Sequence, residues 1–323
     1  TRFVGGQGRN PFQQSIHSAL CVPLVSRKED VLGVIYTDTT TSGRTFGEDH
    51  LKLLTGIAME AALAIENARL VEEVAEKKRL ENELDIARSI QLNLVPSKAP
   101  DTEGLDVAGL MIPAREVGGD YYDFVRSERD GVLYIAIGDV SGKGVPASLV
   151  MVMARCFFRP LTQHASTTKD IVNELNRLIF ADTRDGTFMS MLVLCYRPAN
   201  GAMTWTGAGQ EHLLIYRAAT GEVERLKAGG LVLGLRGNAE RFYKQNELPL
   251  AAGDAILMYT DGVSEAVNPA GKMIGLDAIA GFVSKYGKMS ADEIVKSVLA
   301  ELKTFMGNAK QHDDITLVAV KKT

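Results

Sequence analysis

Cysteine is scarce in this sequence: Cys21, Cys156 and Cys195 are far apart and make no C-x-x-C pair. That argues against a disulfide framework or a cysteine-built zinc site, and a reduced, cytosolic chain is expected. Long apolar runs are also lacking. The longest, Ala147 to Ala154, stops at Arg155, far short of a bilayer's width. Neither charge sign dominates: 36 Lys and Arg stand against 40 Asp and Glu, a formal net charge of −4. Broad attraction to nucleic acid or to an anionic membrane is therefore not expected. The 31 glycines and 10 prolines follow no fixed period, which excludes a collagen-like chain, and 46% hydrophobic residues exclude general disorder. No signal peptide is legible. The chain opens at Thr1 without Met, so its natural N-terminus is expected to lie further upstream.

What is present falls into three zones. In residues 1–65, Ala19 to Val25 and Val31 to Thr37 are β-rich runs joined by the polar turn Ser26 to Asp30, which predicts a hairpin. A helix follows from Phe46-Gly47-Glu48-Asp49, with Leu51, Leu54, Ile57, Ala58, Ala61, Ala62 and Ile65 at helical spacing. Residues 66–95 continue it as a linker without Gly or Pro until Pro96. Leu63, Asn67, Leu70 and Val74 make one stripe; Leu80, Leu84, Ala87, Gln91 and Leu94 make another, offset like a coiled-coil stammer. The opposite face is nearly all charged. This favours a parallel coiled-coil homodimer over a helix packed on its own domain, with Gln91 as the polar residue of its seam. In residues 100–323, short apolar runs joined by tight turns such as Ala199-Asn200-Gly201 predict a mainly antiparallel sheet. Helical stretches at Pro146 to Leu161, Thr168 to Ala181, Leu276 to Lys285 and Ser290 to Met306 make the class α+β, a sheet sandwich with helices outside.

One pattern recurs in the last zone. Apolar runs end in, or begin from, an aspartate beside glycine: Ile135 to Asp139, Leu257 to Gly262, Gly118-Gly119-Asp120, and Asp313-Asp314 leading into Ile315 to Val320. An acid against an apolar run sits at a sheet edge or finds a counter-charge. A single Asp-Gly is usually only a turn. Four in the same strand context can converge, and a hard divalent cation would relieve their repulsion. Gly138 to Lys143 fails as a P-loop because its glycine spacing is short and Gly144 replaces Ser/Thr. Gly142-Lys143-Gly144-Val145-Pro146-Ala147 matches a dinucleotide fingerprint, but no βαβ unit follows, and it is expected to be a turn and a helix start. His17, His50, His164, His212 and His312 are dispersed and are not expected to be ligands.

These residues resemble the SpoIIE/RsbU branch of the PPM family, metal-dependent protein phosphatases related to protein phosphatase 2C. The matching words, in the family's order, are Glu116 to Asp123, Gly138 to Gly144, Tyr259 to Ala266 and Asp313 to Leu317. The resemblance implies a sandwich of two antiparallel sheets flanked by helices and two Mn²⁺ or Mg²⁺ ions. By that resemblance Asp139 bridges the ions, the Val140 carbonyl ligates one, Asp261 and Asp313 complete the set, and Asp120 lies near the second ion. Asp314 ranks below Asp313 as a ligand. Ser141 stands where the wider family has a histidine acid, which leaves a metal-bound water as proton donor. Gln210 stands where the branch commonly has His, and His212 does not replace it. Arg115 is the best nearby cation for a phosphate, or else a solvated surface residue.

Ser18 to Leu24, Val31 to Ile35 and Ala64 to Ala68 resemble the C-terminal half of a GAF domain. Together the resemblances imply a cytoplasmic bacterial phosphatase that dephosphorylates a phosphorylated STAS-type anti-sigma factor antagonist and is regulated through a GAF-linker dimer. No membrane or nucleic-acid partner is expected. Movement of the helices at Pro146 to Leu161, where Met151 and Met153 lie, and Thr168 to Ala181 to complete metal binding is also implied, with activating substitutions clustering in both. The rival reading is a PPM-like binding module with weak or no turnover; the presence of all four acids argues against it.

Overall fold

The computed structural model describes residues 16–183 and 186–323. The chain divides into two compact units, Thr1–Glu83 and Leu84–Thr323, described separately below. The first 15 residues of the zone expected at 1–65 lie outside the described residues.

In the first unit β1 (Ser18–Val25) and β2 (Val31–Thr39) pair antiparallel. Their turn is closed by Ser26, whose hydroxyl accepts from the Lys28 and Asp30 amides. Helix α1 (Glu48–Leu94) starts here and runs unbroken into the second unit. Val22 and Leu24 pack against Ala58 and Ala62 in a small core, with Leu54 and Ala61 beside it, so the expected hairpin holds; of the residues expected on the helix's apolar face, Leu51, Ile57 and Ile65 are exposed instead.

The second unit holds two five-stranded sheets. The strands are β3 (Leu105–Ile112), β4 (Tyr121–Arg126), β5 (Leu133–Val140), β6 (Met189–Arg197), β7 (Ala202–Ala208), β8 (Gln210–Tyr216), β9 (Val223–Gly229), β10 (Asn246–Glu247), β11 (Ala255–Tyr259) and β12 (Ile315–Lys322). The order is β10-β7-β6-β5-β4 in one sheet and β3-β12-β11-β8-β9 in the other, and every pairing between strands is antiparallel. Helices α2 (Val145–His164) and α3 (Thr168–Asp182) cover the first sheet; α5 (Gly275–Tyr286) and α6 (Ala291–Met306) cover the second. A short helix, α4 (Asp261–Ser264), follows β11 where only a turn was expected.

Side-chain alternation decides which residues meet. In β5, Leu133, Ile135 and Ile137 face the other sheet, while Tyr134 and Ala136 face the helices. In β11, Ile256 and Met258 face inward, as do Val318 and Val320 in β12. Both faces of each sheet are covered, which is why these strands read as continuous apolar runs. Among the described residues only α2 is long and apolar enough to cross a membrane, and its Met151, Ala154 and Phe158 are fully buried against the first sheet. Its start bears out the reading of Gly142 to Ala147: both glycines have positive φ and Pro146 lies in the first turn.

Candidate active site

The site forms where the inward-facing rows reach the ends of their strands. Asp139 continues the series Leu133, Ile135, Ile137, and its register partner on β6 is Ser190. Thr260 follows Met258 by the same step of two, and Thr316 precedes Val318 in that way. Both threonine hydroxyls donate to Oδ2 of Asp120, Thr260 at 2.7 Å. The Thr316 amide in turn donates to the Thr260 hydroxyl at 3.1 Å. Asp120 is thus held between the sheets by one threonine from each of two neighbouring strands.

The loop before Asp120 is shaped by its glycines. A side chain at Gly118 would overlap the Asp314 carboxylate; a Cβ at Gly119 would stand 2.9 Å from the Val140 carbonyl oxygen. Asp314 clamps this loop: one oxygen accepts the Ala114 amide at 2.7 Å, the other the Gly119 amide at 2.7 Å and the Asp120 amide at 3.4 Å. Its carboxylate thereby holds the backbone of this loop, a positioning role that stands beside its lower expected rank among the metal ligands. Gly262 has a parallel role, since any Cβ there would strike the Asp314 carbonyl. Glycine lets α4 approach the start of β12 and brings Asp261 near Asp313.

The carboxylates sense one another. Burial pushes Asp139 up to about 7, with further upward pushes from Asp261, Asp313 and Asp314. Burial also carries Asp120 well above the usual carboxylate range, followed by the charge of Asp139. Asp313 lies at the mouth, where Lys143 Nζ approaches its Oδ2 at 2.7 Å and donates to the His312 carbonyl at 2.7 Å. The exposed Arg115 guanidinium lies beside Gly144, near this mouth. Among the described residues no three His, Cys, Asp or Glu side chains stand close enough to hold an ion by themselves. The donor set is nonetheless all oxygen and mutually repelling, which suits Mg²⁺ or Mn²⁺, ions that keep several waters and need only one or two carboxylates each.

Two residues acquire roles that sequence patterns did not supply. Gln210 accepts from Ser190 at 2.8 Å and donates to the Tyr259 carbonyl at 2.6 Å, tying the strand beside Asp139 to the one that leads into Asp261. His212 lies further along β8, its Nδ1 buried without a hydrogen-bond partner. Gln91, expected in a coiled-coil seam, is instead buried against Gly118. Sequence carried no signal for this second contact, because it joins positions that only tertiary folding brings together.

The family described as Stage II sporulation protein E (SpoIIE) matches residues 129–323, more than half of the chain. The chain belongs to the SpoIIE family. It is similar to "Phosphoserine phosphatase RsbU" of Bacillus subtilis (strain 168), 30% identical over 249 residues that cover 76% of this chain and 72% of that protein. Protein IcfG of Synechocystis sp. is 27% identical over 74% of this chain but only 41% of its own length. Among solved structures, the SiaA-PP2C domain of Pseudomonas aeruginosa superposes with a TM-score of 0.66 at 24% identity, over 77% of this chain and 98% of that domain. A GAF domain matches residues 7–66. The SpoIIE-family chain is therefore an RsbU-like serine phosphatase, a hydrolase with the PPM sandwich and a GAF-related N-terminus, as the sequence led us to expect.

Proposed function

We propose that this SpoIIE-family chain is a metal-dependent phosphoserine/phosphothreonine phosphatase of the bacterial cytosol. Its substrate would be a small phosphorylated STAS-type antagonist of an anti-sigma factor in a partner-switching pathway. The carrying observation is the convergence of acids at one end of the sandwich, where Thr260 and Thr316 hold Asp120 and where Asp139 is raised to about 7 by burial and its acidic neighbours. Asp120, Asp139, Asp261, Asp313 and the Val140 carbonyl are the oxygen donors for two Mg²⁺ or Mn²⁺ ions. When bound, such ions supply a water of lowered pKa and stabilise charge on the phosphoryl oxygens. Asp139, which senses the charges of the other acids, would be the residue that holds both. Asp120 stays fixed by Thr260 and Thr316, and Asp314 holds the loop that carries it. Arg115 and Lys143 are the cations at the mouth that orient a phosphoprotein's phosphate.

The division into a GAF-like zone at 1–65, a linker at 66–95 and a phosphatase at 100–323 is part of this reading. So is a parallel homodimer. Leu63, Leu70 and Val74 are exposed along one stripe of α1, as an unpaired seam would be. The test is hydrolysis of a chromogenic phosphoester and of a phosphorylated STAS protein with Mn²⁺, with and without EDTA. Turnover that survives exhaustive chelation would overturn the metal assignment; hydrolysis of the small ester without the phosphoprotein would overturn the substrate class.

A further inference from the structure

The end of α1 carries a contact that neither a linker nor a coiled-coil seam requires. Gln91 is only 3% exposed. Its Nε2 donates to the Gly118 carbonyl at 2.7 Å and its Oε1 accepts the Gly118 amide at 3.0 Å. A primary amide that pairs with both the N–H and the C=O of one residue engages the two peptide units that flank its Cα, and so fixes that residue's backbone in position and orientation. Gly118 directly precedes Gly119, whose carbonyl receives the Val140 amide at 3.3 Å and whose amide is held by Asp314. Asp120 comes next. Within three residues the backbone therefore touches the helix end, the residue after Asp139, and the acid between the sheets.

The helix end is also anchored from another side. Arg155 of α2 donates from Nε to the Leu94 carbonyl at 2.7 Å. The last turn of α1 has no basic residue of its own. Arg155 supplies both a donor for an orphan carbonyl and the positive charge that a helix C-terminus favours. Position along and about the helix axis is thus defined by Gln91, while Arg155 ties the same turn to the helix covering the first sheet.

We propose that Gln91 is a positioning residue of the phosphatase: through its two hydrogen bonds to Gly118, the last turn of α1 fixes the loop before Asp120 and thereby the placement of Asp120 relative to Asp139. The proposal rests on the metal-dependent reading of the site. Gln91→Leu keeps bulk and burial but removes both hydrogen bonds. Gln91→Glu keeps length and the acceptor, and turns the donor into an oxygen facing the Gly118 carbonyl.

The experiment compares full-length wild type, Gln91→Leu and Gln91→Glu, each checked for native circular dichroism. Three quantities are read: Mn²⁺ affinity by electron paramagnetic resonance, kcat and KM on a chromogenic phosphoester, and hydrogen exchange of the Gly118 to Asp120 amides. A residue that orients ligands from behind typically changes metal affinity or activity by about 10–100-fold. We expect Mn²⁺ affinity and kcat to fall on that scale, KM at saturating Mn²⁺ to change little, and the loop amides to lose protection. A folded variant with wild-type Mn²⁺ affinity, kcat and loop protection overturns the proposal; lowered thermal stability alone does not support it. If Gln91→Leu fails to fold, Gln91→Glu carries the same comparison. Wild type that binds no Mn²⁺ overturns the metal reading instead, and loop exchange together with kcat then decides the role of Gln91.

Discussion

Asp139 is where the chemistry of single residues is most exposed to test. Its carboxyl interacts with four other acids, Asp120, Asp261, Asp313 and Asp314, and burial is the largest cause of its upward shift. Asn in its place keeps size and removes charge. We expect Asp139→Asn to fold normally and to lose on the order of 100-fold or more in kcat, the scale on which electrostatic groups at a reacting centre act. Steady-state kinetics at saturating Mn²⁺ would check it, and wild-type turnover would show that Asp139 is not the bridge. Asp314 shows why adjacent identical residues in a motif are not equivalent. Asp313 faces the mouth and Lys143, whereas Asp314 is 8% exposed and spends its oxygens on three amides of the neighbouring loop. One step along the approach to β12 turns the side chain from the mouth to the loop, and with it changes the contacts.

Helices α1 and α2 carry the element-scale arguments. On α1, Leu84, Ala87 and Leu94 are half-buried and Gln91 buried, while Ile86 and Ile90 are exposed. From Leu84 onward the second of the two expected stripes is therefore engaged within the phosphatase unit, whereas its first residue, Leu80, is exposed, and a dimer seam is better sought at Leu63, Leu70 and Val74. Leu70→Glu should place like charges across that seam. Light scattering at low micromolar concentration is expected to report a monomer or a far weaker dimer, and a dimer of unchanged affinity would remove the seam. Helix α2 is held differently. Arg159 donates from Nε and Nη2 to the two carboxylate oxygens of the fully buried Asp123 of β4, at 2.8 Å each, and Tyr121 donates to the same carboxylate at 2.8 Å. Removing one partner strands a buried charge, at a cost of roughly 3–5 kcal/mol. Arg159→Ala should lower the urea midpoint accordingly; a change under about 1 kcal/mol would mean that Asp123 finds another donor.

At the scale of the whole molecule, the site works against stability unless its charge is neutralised. Asp120 and Asp139 both titrate above their ordinary range, so between the unfolded carboxylate value and about 7 the folded chain binds more protons than the unfolded one. Stability then falls as pH rises through that window. Metal-free protein should therefore melt at lower temperature near about pH 7.5 than near about pH 5, by an amount reflecting up to a few kcal/mol. Mn²⁺ should raise Tm more at the higher pH, because it binds the ionised acids and only the folded state assembles them. A Mn²⁺ effect equal at both pH values, or larger at the lower one, would mean that these carboxylates are not what the ion meets.

The sequence by itself determined the elements and their chemistry. The glycine-aspartate words, the apolar runs covered on both faces and the unbroken helix up to Pro96 are local properties, set by backbone sterics and side-chain spacing over a few residues. They sufficed for antiparallel strands with flanking helices and for singling out the acids Asp120, Asp139, Asp261 and Asp313, while the division into two antiparallel sheets and the roles of those acids came from the family resemblance. What tertiary structure decided is which residues share an end of the sandwich. Thr260 and Thr316 became the donors to Asp120 only because β11 and β12 pair in a register that puts both on the inner face. Gln210 lost the look of a substituted histidine by spanning from Ser190 to Tyr259. Gln91, on a face that reads equally well as a seam, proved to pair with Gly118, 27 positions away. A hydrogen bond between distant residues leaves no periodicity in either segment; it exists only once the packing of the core has brought their backbones to within its reach.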